Sequence, residues 1–173
     1  MSFPVAQLGV ATALLLAGAS ADVWKRKIPN AINAALGLTG LWAQASTRSW
    51  GSMGSGAATG LLTLVLLWFP WRSGRVGGGD VKLAAGAGFW LSLSRLPEYL
   101  LLAALAGGAL SLLYYALSSR DVRREIRSNL TSAAMSATVP PVSLASGQGR
   151  RSVPYGVSFA VSAGALLWGA HLW

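Results

Sequence analysis

Five carboxylic acids are all that this chain offers for acid–base chemistry: Asp22, Asp80, Glu98, Asp121 and Glu125. Cysteine is absent, and the single histidine, His171, lies near the C-terminus. Disulfides, thiolate metal sites, Fe–S clusters and cysteine nucleophiles are thereby excluded. Neither a histidine-based triad nor a zinc site is expected, and no metal or cofactor is implied. Two carboxylates facing one cavity can still hydrolyse an amide, one activating water while the other, protonated, polarises the scissile carbonyl. Which acids could pair in this way depends on where the chain carries them.

Composition says what carries them. Of 173 residues, 53% belong to the AVILMFWYC set and 11% are charged, whereas a soluble domain carries about 25% charged residues. There is too little charge to cover a water-facing surface, and intrinsic disorder is excluded by the same numbers. The chain reads as an integral membrane protein, all-α, a polytopic helical bundle. A bilayer core of about 30 Å needs roughly 20 apolar residues in helix. The apolar runs 5–21, 28–45, 56–71, 81–94, 99–118 and 153–173 give about six transmembrane helices in a single domain, 1–173. The run 81–94 is short and Gly-rich, so it is expected either to extend back through Val76 or to enter part of the bilayer. Ala, Gly and Ser run through most spans, which suits close contact between helices. Trp24, Trp50, Trp68, Trp71 and Trp173 fall near span ends, where amphipathic rings prefer to lie.

The 14 Lys and Arg against five Asp and Glu give a net charge of +9. The basic residues sit in short clusters between apolar runs, without the patch or motif of a nucleic-acid binder, so no nucleic-acid partner is expected. Twelve fall in alternate loops: Lys25, Arg26 and Lys27; Arg72, Arg75 and Lys82; Arg120, Arg123, Arg124, Arg127, Arg150 and Arg151. Arg48 and Arg95 occupy the other side. The positive-inside rule makes the first set cytoplasmic and places both termini outside. Leu14 to Ala21 has the look of a short signal sequence, but its positive charge follows the apolar run instead of preceding it, so retention is expected. The cytoplasmic loop 119–152 sets Val122, Ile126 and Leu130 at four-residue spacing among arginines, a narrow stripe suited to a helix lying on an anionic leaflet. A solvated linker is the plainer reading. Its second half, rich in Ser, Pro and Gly, is expected to be irregular.

With spans and orientation in hand the acids separate. Asp121 and Glu125 stand at i, i+4 among arginines and read as surface ion-pair partners. Glu98 follows Pro97 at a span start, where an acid complements the helix dipole. Asp22 lies where the first span reaches the cytoplasm and Asp80 where the fourth leaves it, so topology brings them to one depth. Ordinary interfacial pairing, Asp22 with Lys25 or Arg26 and Asp80 with Lys82, is the alternative. The local sequence favours chemistry. Gly77, Gly78 and Gly79 precede Asp80, and three glycines are conformationally costly; they admit a second backbone and leave polar main-chain groups for an extended substrate. Such backbone is tolerated at membrane depth only when buried in protein or lining a watery cavity. Asp22 is followed by Ile28, Pro29 and Asn30, with Pro29 suited to the first turn of the second span.

These residues resemble a known family. Asp22, five residues, then Ile28-Pro29-Asn30 is similar to the first aspartate motif of the type IV prepilin peptidases. Gly77-Gly78-Gly79-Asp80-Val81-Lys82-Leu83 is similar to their second, the G-x-G-D-x-K-L form shared in outline with other GxGD intramembrane aspartic proteases. Val153-Pro154-Tyr155-Gly156-Val157 resembles the closing signature of the short Tad/Flp-type members, although Ser158, Phe159 and Ser162 intervene before Gly164 and the loop 119–152 has no counterpart.

The resemblance implies an aspartic endopeptidase of the bacterial inner membrane, with Asp22 and Asp80 catalytic. It would cleave the basic leader of a type IV, Flp/Tad-like pilin precursor on the cytoplasmic side, its partners being that precursor and the lipid bilayer. Larger members also methylate the new N-terminus and carry an extra region, often with paired cysteines; without cysteine, peptidase activity without methyl transfer is expected here. Gly77, Gly78, Gly79, Lys82, Pro29 and Asn30 are the expected supporting residues. Pro154, Tyr155 and Gly156 have no assigned role. Helix dipoles suggest Asp80, at a helix start, as the ionised base and Asp22, at a helix end, as the proton carrier, with Lys82 either steadying Asp80 or snorkelling to lipid phosphate. The rival reading is a small transporter or pilus-assembly subunit that uses the two acids for ion passage.

Overall fold

The computed structural model describes residues 3–47, 49–74, 76–120 and 155–172, with 123, 124, 127, 128 and 131. Among them every regular element is helical: α1 (Val5–Lys25), α2 (Asn30–Thr47), α3 (Trp50–Arg72), α4 (Gly78–Gly88), a 3-10 turn (Leu93–Arg95), α5 (Leu96–Leu117) and α6 (Tyr155–Leu172). Three stretches are long and apolar enough to cross a membrane: α1, α3, and Leu93–Leu117, which joins the 3-10 turn to α5. The chain is therefore a helical membrane bundle. Its outer faces are apolar, with Leu16, Leu38, Val65, Phe69, Leu105 and Leu112 all exposed; so much apolar surface would be an aggregation hazard in water and is the natural face toward lipid.

The chain divides into two compact units, Met1–Gly107 with Pro154–Trp173, and Gly108–Val153. In the second, Arg123 Nε donates to the Ser118 carbonyl at 3.0 Å and Arg127 Nε to Tyr115 Oη at 3.1 Å. The expected stripe of Val122, Ile126 and Leu130, the acids Asp121 and Glu125, and most of the loop 119–152 lie outside the described residues.

The first unit is built around α4, which packs against α1, α2, α3 and α6. Eight of its 11 residues are buried, and Lys82 alone is fully exposed. Apolar burial gives helices little reason to associate inside a bilayer, because lipid is as apolar as leucine; close contact between small residues and satisfied polar groups must hold them together. Both are present. A Cβ on Gly88 would stand 3.0 Å from the Gly60 Cα, so α3 and α4 touch backbone to backbone. Trp90 Nε1 donates to the Leu36 carbonyl of α2 at 2.8 Å, and Tyr99 Oη of α5 donates to the Ala84 carbonyl of α4 at 3.2 Å.

The fourth apolar run, 81–94, is helical over only part of its length. The helix starts earlier, at Gly78, and stops at Gly88. Eleven residues at 1.5 Å each reach about 16 Å, half of the bilayer core. The path continues as a non-helical segment to Leu93. Gly78 lies against Trp71 at one end of α3, and the Leu93 N–H bonds Ser55 Oγ near the other. Sixteen helical steps separate those two residues of α3, so 78–93 runs about 24 Å along it. The unwound part is permitted because it is enclosed: Trp90 and Leu91 are buried, and the Phe89, Trp90 and Leu91 N–H groups bond the Ala85, Ala87 and Gly88 carbonyls. Beyond it Glu98 stands in the first turn of α5, as expected, and pairs with Arg95 at 3.1 Å.

Candidate active site

Asp22 sits one turn before the end of α1 and is 6% exposed. The helix closes at Arg26, whose N–H donates to the Asp22 carbonyl at 3.0 Å. Arg26 is left-handed (φ 51°, ψ 26°), the one non-glycine residue with positive φ among those described. That conformation costs an L-residue about 1–2 kcal/mol. It turns the chain at once toward Ile28, which is buried, and Pro29, which stands just ahead of α2 and is exposed; the Pro29 carbonyl accepts the Ile32 N–H at 3.1 Å.

Asp80 lies in the first turn of α4, 7% exposed, three residues after the capping residue Gly77. From there its carboxylate reaches back to the Gly77 N–H, the backward half of a capping box. An added Cβ at Gly77 would stand 2.9 Å from Asp80 Oδ2, so the glycine makes room for the acid that caps its own helix. At Gly79 a Cβ would meet the Ile28 Cβ at 3.3 Å and the Ile28 backbone N at 3.4 Å. The triplet thus lets the segment after Asp22 lie directly on the helix that carries Asp80.

The third contribution comes from α6. The Gly156 N–H, in its first turn, donates to Asp22 Oδ2 at 3.0 Å in a buried hydrogen bond spanning 134 residues of sequence. The same N–H acts on the Asp80 carboxylate, which also feels the Asp22 charge, and the Arg26 charge acts on both acids. Two buried carboxylates and one main-chain donor therefore converge where α1 ends and α4 and α6 begin.

Not every expected residue joins them. Lys82 Nζ donates to Asn30 Oδ1 at 3.0 Å, so the pair clamps the start of α4 to the start of α2, where Lys82 had been expected to steady Asp80 or reach lipid phosphate. Pro29 shapes the turn without entering the site. Tyr155 packs its ring on Gly107, and Pro154 lies outside the described residues. The dipole argument that separated the two acids also fails. Asp22 does end α1, but its carboxylate meets the N-terminus of α6, so each acid faces a helix N-terminus and neither field marks it as the proton carrier. Among the described residues no three of His, Asp and Glu are grouped to hold a metal ion. Sequence reading missed Arg26 as a shared neighbour and Gly156 as a shared donor; the signal for Gly156 was its closing motif, but no spacing linked it to Asp22.

Residues 9–112 match the model of the type IV leader peptidase family. This chain belongs to that family. The matched region contains both aspartates and the glycine triplet and ends before α6. A prepilin leader peptidase/N-methyltransferase of Burkholderia pseudomallei (strain 1026b) is 36% identical over 110 residues, covering 58% of this chain and 34% of the relative; the strain K96243 protein of the same name gives the same figures. One of that name from Pectobacterium carotovorum subsp. carotovorum is 37% identical over 75 residues, 41% of this chain and 27% of the relative. The chain thus spans about a third of the length of the relatives it matches. No solved structure matches it.

Proposed function

We propose that this protein is an aspartic endopeptidase that removes the basic leader of type IV, Flp/Tad-like pilin precursors at the cytoplasmic face of the bacterial inner membrane, without methylating the new N-terminus. The convergence of Asp22 and Asp80 on one buried main-chain donor carries the reading. A binder of pilins has no need to bury two acids together, since like charges at close quarters repel and must share a proton.

That shared proton is the mechanism. With one carboxylate ionised and one protonated, a water held between them loses a proton to the first as its oxygen attacks the scissile carbonyl. The second donates to the carbonyl oxygen. The tetrahedral intermediate collapses as the first gives its proton to the leaving amine and the second takes one back from a hydroxyl of the intermediate, which restores the pair with one proton between them. The pair titrates as a unit. Glycines 77–79 leave the start of α4 without side chains, which lets the segment after Asp22 lie directly on the helix that carries Asp80. The names of the relatives support the peptidase reading, and the lack of cysteine supports the absence of methyl transfer.

The test is co-expression with a pilin-like precursor and mass determination of the precursor's N-terminus. Wild type should shorten it without adding a methyl group. Asp22→Asn and Asp80→Asn should each abolish cleavage while still inserting in the membrane. Full cleavage by either variant would refute the pair.

A further inference from the structure

The closing motif Pro154-Tyr155-Gly156 has no assigned role, and the family match stops before it. We propose that the Gly156 N–H is a positioning group of the aspartate pair: it fixes the Asp22 carboxylate toward Asp80, and its position must carry no side chain. The proposal rests on the two-aspartate reading above and deepens it.

Three observations carry it. The N–H is bound to Asp22 Oδ2 at 3.0 Å, in a buried contact. A Cβ at this position would stand 2.9 Å from that same oxygen, 3.2 Å from the Asp22 Cβ and 3.1 Å from Ile28 Cδ1, so even alanine must push the acid away from the donor. The start of α6 is itself held in place, by the Tyr155 ring packed on Gly107 and by Ser158 Oγ bonded to the Tyr155 carbonyl at 2.8 Å. A donor fixed to a helix N-terminus also presents the positive end of the helix dipole to the single negative charge that the pair retains after sharing a proton.

The Gly156 N–H meets Asp22 from α1 and Asp80 from α4, and the Arg26 charge acts on both acids. Lys82 is engaged by Asn30 and Tyr99 by the Ala84 carbonyl. Asp22 and Asp80 are therefore the titrating groups that the Gly156 N–H touches.

Gly156→Ala should lower kcat for precursor cleavage about a hundredfold, the usual consequence of displacing a reacting group by about an ångström. KM should change little, and the pH–rate profile should shift. Gly164→Ala, on the same helix with open space around it, should behave as wild type. A second measurement needs no proteolysis and begins with the unaltered protein. Tyr155-Gly156 is the one Tyr-Gly pair in the sequence, so labelling tyrosine carbonyl carbon with 13C and glycine nitrogen with 15N isolates its amide signal in the intact protein. That signal should move with pH as the carboxylates titrate, and Asp22→Ala should shrink the movement. An unmoved amide, or a Gly156→Ala enzyme with wild-type rate and profile, overturns the proposal while leaving the two aspartates in place. If wild type cleaves no precursor yet the amide titrates and responds to Asp22→Ala, the positioning role stands and the peptidase reading falls.

Discussion

Asp22 and Asp80 do not share a setting so much as a donor, and that decides how the site should respond to pH. In the proposed mechanism one carboxylate is ionised and one protonated, so cleavage should fall on the acid side as both take protons and on the alkaline side as both lose them. A bell-shaped rate profile measured in detergent or proteoliposomes checks this, and a rate flat across the range would contradict it. Arg26 bears on the acid limb. Its charge acts on both acids, so Arg26→Gly should displace that limb. Glycine also accepts the left-handed angle at no steric cost, so the variant should be no less stable to heat than wild type. The two measurements separate the charge from the turn.

At the scale of elements, α4 is a short helix whose closest approaches to its neighbours are made at glycines. A Cβ at Gly60 would meet the Phe89 ring at 2.7 Å, whereas one at Gly54, on the same helix, meets nothing within 4 Å. Gly60→Ala should therefore lower the thermal midpoint, by the equivalent of about 1–3 kcal/mol for overpacking. Gly54→Ala should hold or raise it, since alanine is the better helix former by about 0.5–1 kcal/mol. Trp90→Phe removes the bond to the Leu36 carbonyl, and the loss of such a hydrogen bond costs on the order of 1 kcal/mol. All three are read by thermal unfolding in one detergent. Because α4 presents Asp80, Gly60→Ala should lower activity as well as stability.

For the whole molecule, the distribution of Lys and Arg predicts orientation. The absence of cysteine makes it easy to check, because single introduced cysteines report without background. Ser73→Cys, in the loop after α3, should react with a membrane-impermeant maleimide only after permeabilisation; Ser94→Cys, in the 3-10 turn, should react in intact cells. The opposite pattern would put the two aspartates on the outer face and remove the proposed access to a cytoplasmic leader.

Much of this was legible in the amino-acid order. Bilayer thickness and the cost of buried charge fix where apolar runs of given length must lie, so membrane class and helical architecture follow from local chemistry. Glu98 at the start of α5 follows in the same way. The shortness of the run at α4 follows too, but its stop at Gly88 does not, because a run of Gly and Ala says little about where a helix stops when neighbouring helices supply the contacts. The partner of Lys82 and the donor to Asp22 are likewise invisible in sequence. Each is a contact between residues remote along the chain, 52 and 134 positions apart, and no local pattern encodes such a distance. Packing alone brought the N-terminus of the last helix against the end of the first, and with it the backbone N–H that both acids share.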